Sequence, residues 1–147
     1  MDLQIDDFYR DAAAGLLALY QAFPRKITLY VEDLIGFEEP DEFGLPSKRH
    51  QGCLSTLIWL AEEGYLRYEN TLQFQAIEQA VLTEKSFVRL TAFSMESASV
   101  TDPVPLSVRR VQGSLANSLR VALRDGDSER LALLARQLFT SNFEAKA

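Results

Sequence analysis

The chain is poor in the residues that most often carry chemistry. It has one cysteine and one histidine in 147 residues. A lone Cys53 cannot form an internal disulfide or a multi-cysteine metal site. A lone His50 leaves no two-histidine metal centre within one chain, so neither a metal nor a cofactor is expected. No run approaches the roughly 20 apolar residues that cross a bilayer. The opening MDLQIDDFYRD lacks the basic and apolar segments of a signal peptide, which makes the cytoplasm the expected location. There is no glycine-rich phosphate loop, no G-x-S-x-G and no Cys/His pair in a catalytic context. Carboxylate pairs do occur, but in a loop that cannot hold them at catalytic geometry. An enzyme is therefore not expected.

Hydrophobic residues make up 47% and charged residues 24%, the balance of a soluble globular chain. The formal net charge is -6, unevenly spread. Residues 1–46 hold 10 acids and 3 bases, residues 47–95 hold 5 of each, and residues 96–147 hold 7 bases and 6 acids. The acidity belongs to the first third. This balance counts against tight non-specific nucleic-acid binding.

Ile5, Phe8, Ala12, Leu16, Leu19 and Phe23 recur at helical spacing from about Asp6 to Phe23, with Tyr9, Ala13, Leu17 and Tyr20 beside them. So wide an apolar face predicts a helix contacted on two sides, ended by Pro24. KITLY (26–30) reads as a strand, and 31–35 as a short helix closed by Gly36. FEEPDEFGLP (37–46) is a loop with four carboxylates. Ser47 caps a helix running to about Glu63. Strands are expected at 65–68 and 73–81, with Glu69-Asn70-Thr71-Leu72 as the turn. Thr83 caps another helix to about Phe93, and 94–105 is a linker. Helices follow at 107–124 and 128–139, joined by Asp125-Gly126-Asp127. The expected class is mostly α with a small β-hairpin, that is α+β. It divides as a domain over 1–95, a linker over 96–105 and a helical hairpin over 106–147.

The segment LSTLIWLAEEGYLRYENTLQFQAIEQAVLTEKS (54–86) resembles the recognition helix and wing of bacterial winged-helix regulators of the MarR and PadR type. The matching residues are Leu60, Gly64, Tyr65 and Leu66, then Leu82, Thr83, Glu84 and Lys85. The match departs at Ser86, where those families often have glycine. The resemblance covers about residues 8–95. It implies a winged helix-turn-helix, a DNA-binding transcriptional regulator, and homodimerisation through terminal helices.

On the third helix and its continuation, His50, Leu54, Leu57, Ile58, Ala61 and Tyr65 fall on one face. Lys48, Gly52, Ser55, Thr56, Trp59 and Glu63 fall opposite. Cations in a first helical turn oppose the helix dipole by about 0.3–1 kcal/mol each, so Lys48 and Arg49 point to an anionic partner. A helix-turn-helix meets DNA through that turn. The expected DNA-contacting residues are Lys48, Arg49, Gln51, Ser55 and Thr56, with Arg67 on the wing. The competing reading is neutralisation of that turn by Glu38, Glu39, Asp41 and Glu42. A turn of about ten residues with four carboxylates sits poorly beside phosphate, where three or four residues are usual. The alternative function is a protein-interaction module or subunit without DNA binding, using Trp59 with Glu38, Glu39, Asp41 and Glu42. Cys53 reads as a small buried hydrophobe and His50 as structural. The C-terminal hairpin has apolar stripes that must either fold back on the first helix or pair with a second chain. Its arginines either pair with the acidic N-terminal third or are solvated.

Overall fold

The computed structural model describes residues 3–92 and 113–140. Those residues form six helices and a small four-stranded antiparallel sheet, an α+β arrangement. The linker and residues 106–112 of the expected hairpin lie outside them, as do Arg109 and Arg110. None of the described helices is long and apolar enough to cross a membrane.

Helix α1 spans Leu3–Ala22 and is the central element. Both of its apolar stripes are covered: Ala12, Leu16 and Leu19 on one, Ala13 and Leu17 on the other. Helix α3 (Lys48–Glu62) packs on one side, and the C-terminal hairpin of α5 (Leu115–Asp125) and α6 (Ser128–Thr140) packs on the other. The approach of α3 is close. A Cβ built on Gly15 would stand 2.8 Å from Leu57 Cδ2, so the bare glycine lets the two helices meet.

Strand β1 (Ile27–Tyr30) leads directly into the short helix α2 (Val31–Ile35), which Gly36 ends at φ 85°. Strand β4 (Ala76–Leu82) is the middle of the sheet. It pairs with β1 along one edge, Leu29 opposite Ile77. Its other edge pairs with β2 (Leu66–Arg67) and β3 (Asn70–Leu72), Leu66 opposite Leu82 and Thr71 opposite Ile77. The register against β1 shifts between Ile27 and Leu29. Gln79 adopts a left-handed φ of 57° on the facing stretch of β4, where this irregularity lies.

The turn of this hairpin is not Glu69-Leu72, as expected. Residues 70–72 are paired strand, and the chain reverses over Gln73-Phe74-Gln75, with Gln73 at φ 52°. Asn70 suggested a turn, but its side chain instead donates to Glu78 Oε1 across the ladder at 2.6 Å. The hairpin is thus longer than predicted and ends in an exposed phenylalanine.

Helix α4 (Glu84–Thr91) explains the motif around Gly64. Thr83 Oγ1 donates to the Gly64 carbonyl at 2.7 Å, Lys85 Nζ to the Glu63 carbonyl at 2.8 Å, and Ser86 Oγ to the Tyr65 carbonyl at 2.6 Å. The chain leaving α3 has carbonyls at residues 63–65 that no helical amide meets, and the side chains of 83, 85 and 86 donate to them. A glycine at 86 could not make the third bond. Arg89, buried on α4, donates from Nη1 to the Leu138 carbonyl at 3.0 Å and ties α4 to α6.

Of the two fates open to the C-terminal hairpin, it takes the first. Leu115, Leu119, Leu131, Leu134 and Leu138 belong to the same core as Leu16, Leu57 and Leu82. Arg120 bonds Asn117 and Arg124 bonds Asp125, both within the hairpin rather than to the N-terminal acids. A shared core predicts shared unfolding. Leu119→Ala is expected to lower stability by about 2–5 kcal/mol. In urea, Trp59 emission and far-UV circular dichroism should shift to the same lower midpoint. A separate early transition for the hairpin alone would contradict the shared core.

Candidate interaction surface

The first turn of α3 is where the cations were expected to face outward. Ser47 caps it, its Oγ accepting from the His50 amide at 3.0 Å. Lys48 is exposed. Arg49 is not presented to solvent as a groove-reading residue. Its Nη1 and Nη2 donate to the two carboxylate oxygens of Asp11 on α1 at 2.6 and 2.7 Å, and its Nε lies 3.7 Å from Asp7. Asp11 is 2% exposed. The hydrogen bond that Arg49 donates to Asp11 raises the Arg49 pKa, so the guanidinium stays charged. The countercharge for this turn therefore comes from α1 and not from the loop before it. The signal was an aspartate inside the apolar stretch DAAAGLLAL, which demands a cation from elsewhere.

Thr56 is likewise turned inward. It is 6% exposed, and its Oγ1 bonds the Gly52 carbonyl at 2.9 Å. It cannot reach a nucleic acid. The buried side of α3 runs through Cys53, Leu54, Thr56, Leu57 and Leu60, so Leu54 and Leu57 of the predicted face are buried while the centre of burial is turned toward Cys53 and Leu60. Cys53 is fully buried and its thiol is pushed up to about 12, first by burial and then by the Asp11 charge. It is a packed hydrophobe, as expected.

Of the other expected DNA-contacting residues, Lys48, Gln51 and Ser55 share one exposed stripe of α3, and Arg67 lies apart on another element. Gln51 and Ser55 are exposed on α3, though the Gln51 amide donates to the Pro46 carbonyl at 2.8 Å. Arg67 is exposed on β2, near Lys26 and Glu84 at the base of the hairpin, away from its tip. The tip itself, Gln73-Phe74-Gln75, carries no base.

Trp59 is 37% exposed and belongs to an aromatic cluster. Its ring meets Phe8 edge-on at 5.2 Å, Phe139 edge-on at 5.7 Å and Tyr65 at 6.3 Å. It anchors α1, α3 and α6 to one another, so most of its surface is already spoken for. Of the loop acids, Glu38 accepts from Ser47 Oγ at 2.9 Å. Asp41 folds the loop, its Oδ1 accepting from the Phe43 and Leu45 amides at 2.9 Å each. Glu39 and Glu42 are exposed.

What the sequence reading missed lies between this loop and the hairpin tip. The His50 Nε2 stands 2.6 Å from the Phe74 carbonyl oxygen. A carbonyl only accepts, so Nε2 carries the proton and the bond latches the tip to α3. The latch closes a groove lined by Tyr30, Glu32, Phe37, Glu38, His50 and Phe74. Around it stand side chains that water does not favour: Phe43 is 79% exposed, Phe37 71%, Phe74 57% and Leu45 51%. Scattered exposed apolar residues are ordinary, but Phe37 and Phe74 line this groove together, and Leu45 and Phe74 line a second one beside it. The signal available was the FEEPDEFGLP loop, whose two phenylalanines flank its four acids.

Compared with known protein families, with characterised proteins and with solved structures, the chain gives no match.

Two outcomes follow from the pair on α1 and α3. Arg49→Ala leaves the Asp11 carboxylate buried without a partner. The loss expected is about 2–4 kcal/mol, below the roughly 3–5 of a fully enclosed pair because the Arg49 side chain is a quarter exposed. The double change Asp11→Leu with Arg49→Met should recover most of it in urea denaturation. A single variant as stable as wild type would contradict this. Cys53 should resist a thiol-reactive disulfide reagent at neutral pH in the native protein and react fully once unfolded.

Proposed function

We propose that this chain is a cytoplasmic protein-interaction module of the winged-helix type, working as an adaptor or as a subunit of a larger assembly. Several features support the winged-helix reading. The order helix, strand, helix, helix, hairpin is that of the fold, and the return strand β4 sits between β1 and the first arm of the hairpin. The Gly64-Tyr65-Leu66 and Leu82-Thr83-Glu84-Lys85 segments meet through the bonds described above.

The observation that carries the interaction reading is the set of exposed apolar side chains Phe37, Leu45 and Phe74, which line two adjoining grooves. Apolar surface of this kind, rimmed by polar groups, is characteristic of protein contact sites. A homodimer is not needed to cover the C-terminal hairpin, since α1 covers it within the chain.

A DNA-binding transcriptional regulator is the second reading, favoured by the exposure of Lys48, Gln51 and Ser55 on one helix. Against it stand the internal pairing of Arg49, the burial of Thr56, a tip without bases and a carboxylate-rich loop beside the helix. Two measurements separate the readings. Genomic fragments at about 50 and about 200 mM salt should show no retarded complex at micromolar protein. A shift that weakens with salt and is lost in the Lys48→Ala, Gln51→Ala double variant would establish the DNA reading instead. A photo-crosslinking residue at position 74 should trap a discrete protein partner in cells, and one at the exposed Arg120 position should not.

A further inference from the structure

The groove beneath the His50–Phe74 latch has a composition that specifies more than a generic contact. Its walls are aromatic: Tyr30 from the end of β1, Phe37 from the loop and Phe74 from the hairpin tip. Its charged groups are carboxylates, Glu32 on α2 and Glu38 on the loop, and no lysine or arginine lines it. The single cationic candidate, His50, has Nε2 committed to the Phe74 carbonyl. Glu39 and Glu42 stand exposed on the same loop and extend the negative field. The cavity is about 200 Å³, smaller than the roughly 300–1,000 Å³ of sites that enclose a small molecule. It has room for a side chain or two. Nucleic acid is disfavoured, because phosphates would approach these carboxylates.

We infer that this groove docks a basic segment of a partner protein, seating one aromatic or aliphatic side chain between Tyr30, Phe37 and Phe74 while an adjacent lysine or arginine pairs with Glu32 and Glu38. The charge complementarity is twofold. An arginine or lysine head meets the carboxylates, and its apolar stem lies over the aromatic rings, where a cation also gains from the ring face. The latch adds preorganisation, since the tip bearing Phe74 is already held against α3 and little freedom is lost on docking. This inference rests on the interaction reading above and adds to it the chemistry of the partner.

The test is selection of a random-peptide phage library on the full chain, followed by titration of selected synthetic peptides. The expected peptides carry lysine or arginine beside phenylalanine, tryptophan or leucine, and bind less tightly as salt rises. Phe74→Ala and Glu32→Lys, both at exposed positions, should each weaken binding at least about tenfold. Far-UV circular dichroism checks that each variant is folded, and Phe37→Ala gives a second probe of the same wall. Peptides that need Phe74 but show no enrichment in bases would overturn the basic-partner inference and leave the interaction module standing. Peptides indifferent to all three variants would overturn it as well. So would self-association of the chain that Phe74→Ala abolishes, since the occupant would then be a second copy.

Discussion

Asp11 lies almost wholly buried within the apolar stripe of α1, and a carboxylate there must be matched by a cation. Arg49 matches it with two short parallel bonds, the geometry in which a guanidinium fits a carboxylate best. The pair does more than neutralise charge. It fixes how far α3 is rotated about its own axis against α1. With Arg49 inward, Cys53, Thr56 and Leu60 follow it at helical spacing toward the core. Lys48, Gln51 and Ser55 are left facing water, and His50 is aimed at the hairpin tip. Gly15 supplies the clearance that the arrangement needs. The groove is therefore a consequence of a bond made on the far side of the same helix.

Much of this scaffold could be read from the amino acids. The helices at α1, α3 and α4, the strand at Ile27–Tyr30 and the caps at Ser47 and Thr83 all follow from local periodicity and side-chain chemistry. What could not be read follows from contacts between elements. Periodicity gives the relative angles of side chains around α3, but not which neighbour the helix leans on. The predicted face, centred near Leu54 and Ala61, was turned toward Cys53 and Leu60 by the demand of Asp11, thirty-eight positions before Arg49 in the chain. The hairpin turn was misplaced for a similar reason. Asn70 has a local preference for turns, and a cross-strand bond to Glu78 overrode it.

The functional consequence is a reassignment of charge. A basic first turn on a helix suggests an anionic ligand, and half of that basicity is consumed within the molecule. What remains outside is an acidic loop with exposed phenylalanines and a hairpin tip with another. A fold of this kind is compatible with either DNA or protein recognition, so the surface and not the topology has to decide. Here the surface combines apolar area with carboxylates.

The position of α1 between α3 and the α5–α6 hairpin also bears on how the molecule is made. One side of α1 finds its cover in α3 soon after it is synthesised. The other waits for α6, about a hundred residues later in the chain. At roughly 5–20 residues per second, translation leaves that stripe bare for about 5–20 s. During this interval the nascent chain has an incomplete core and a sticky leucine-rich helix. The core closes only when Leu131, Leu134 and Leu138 arrive.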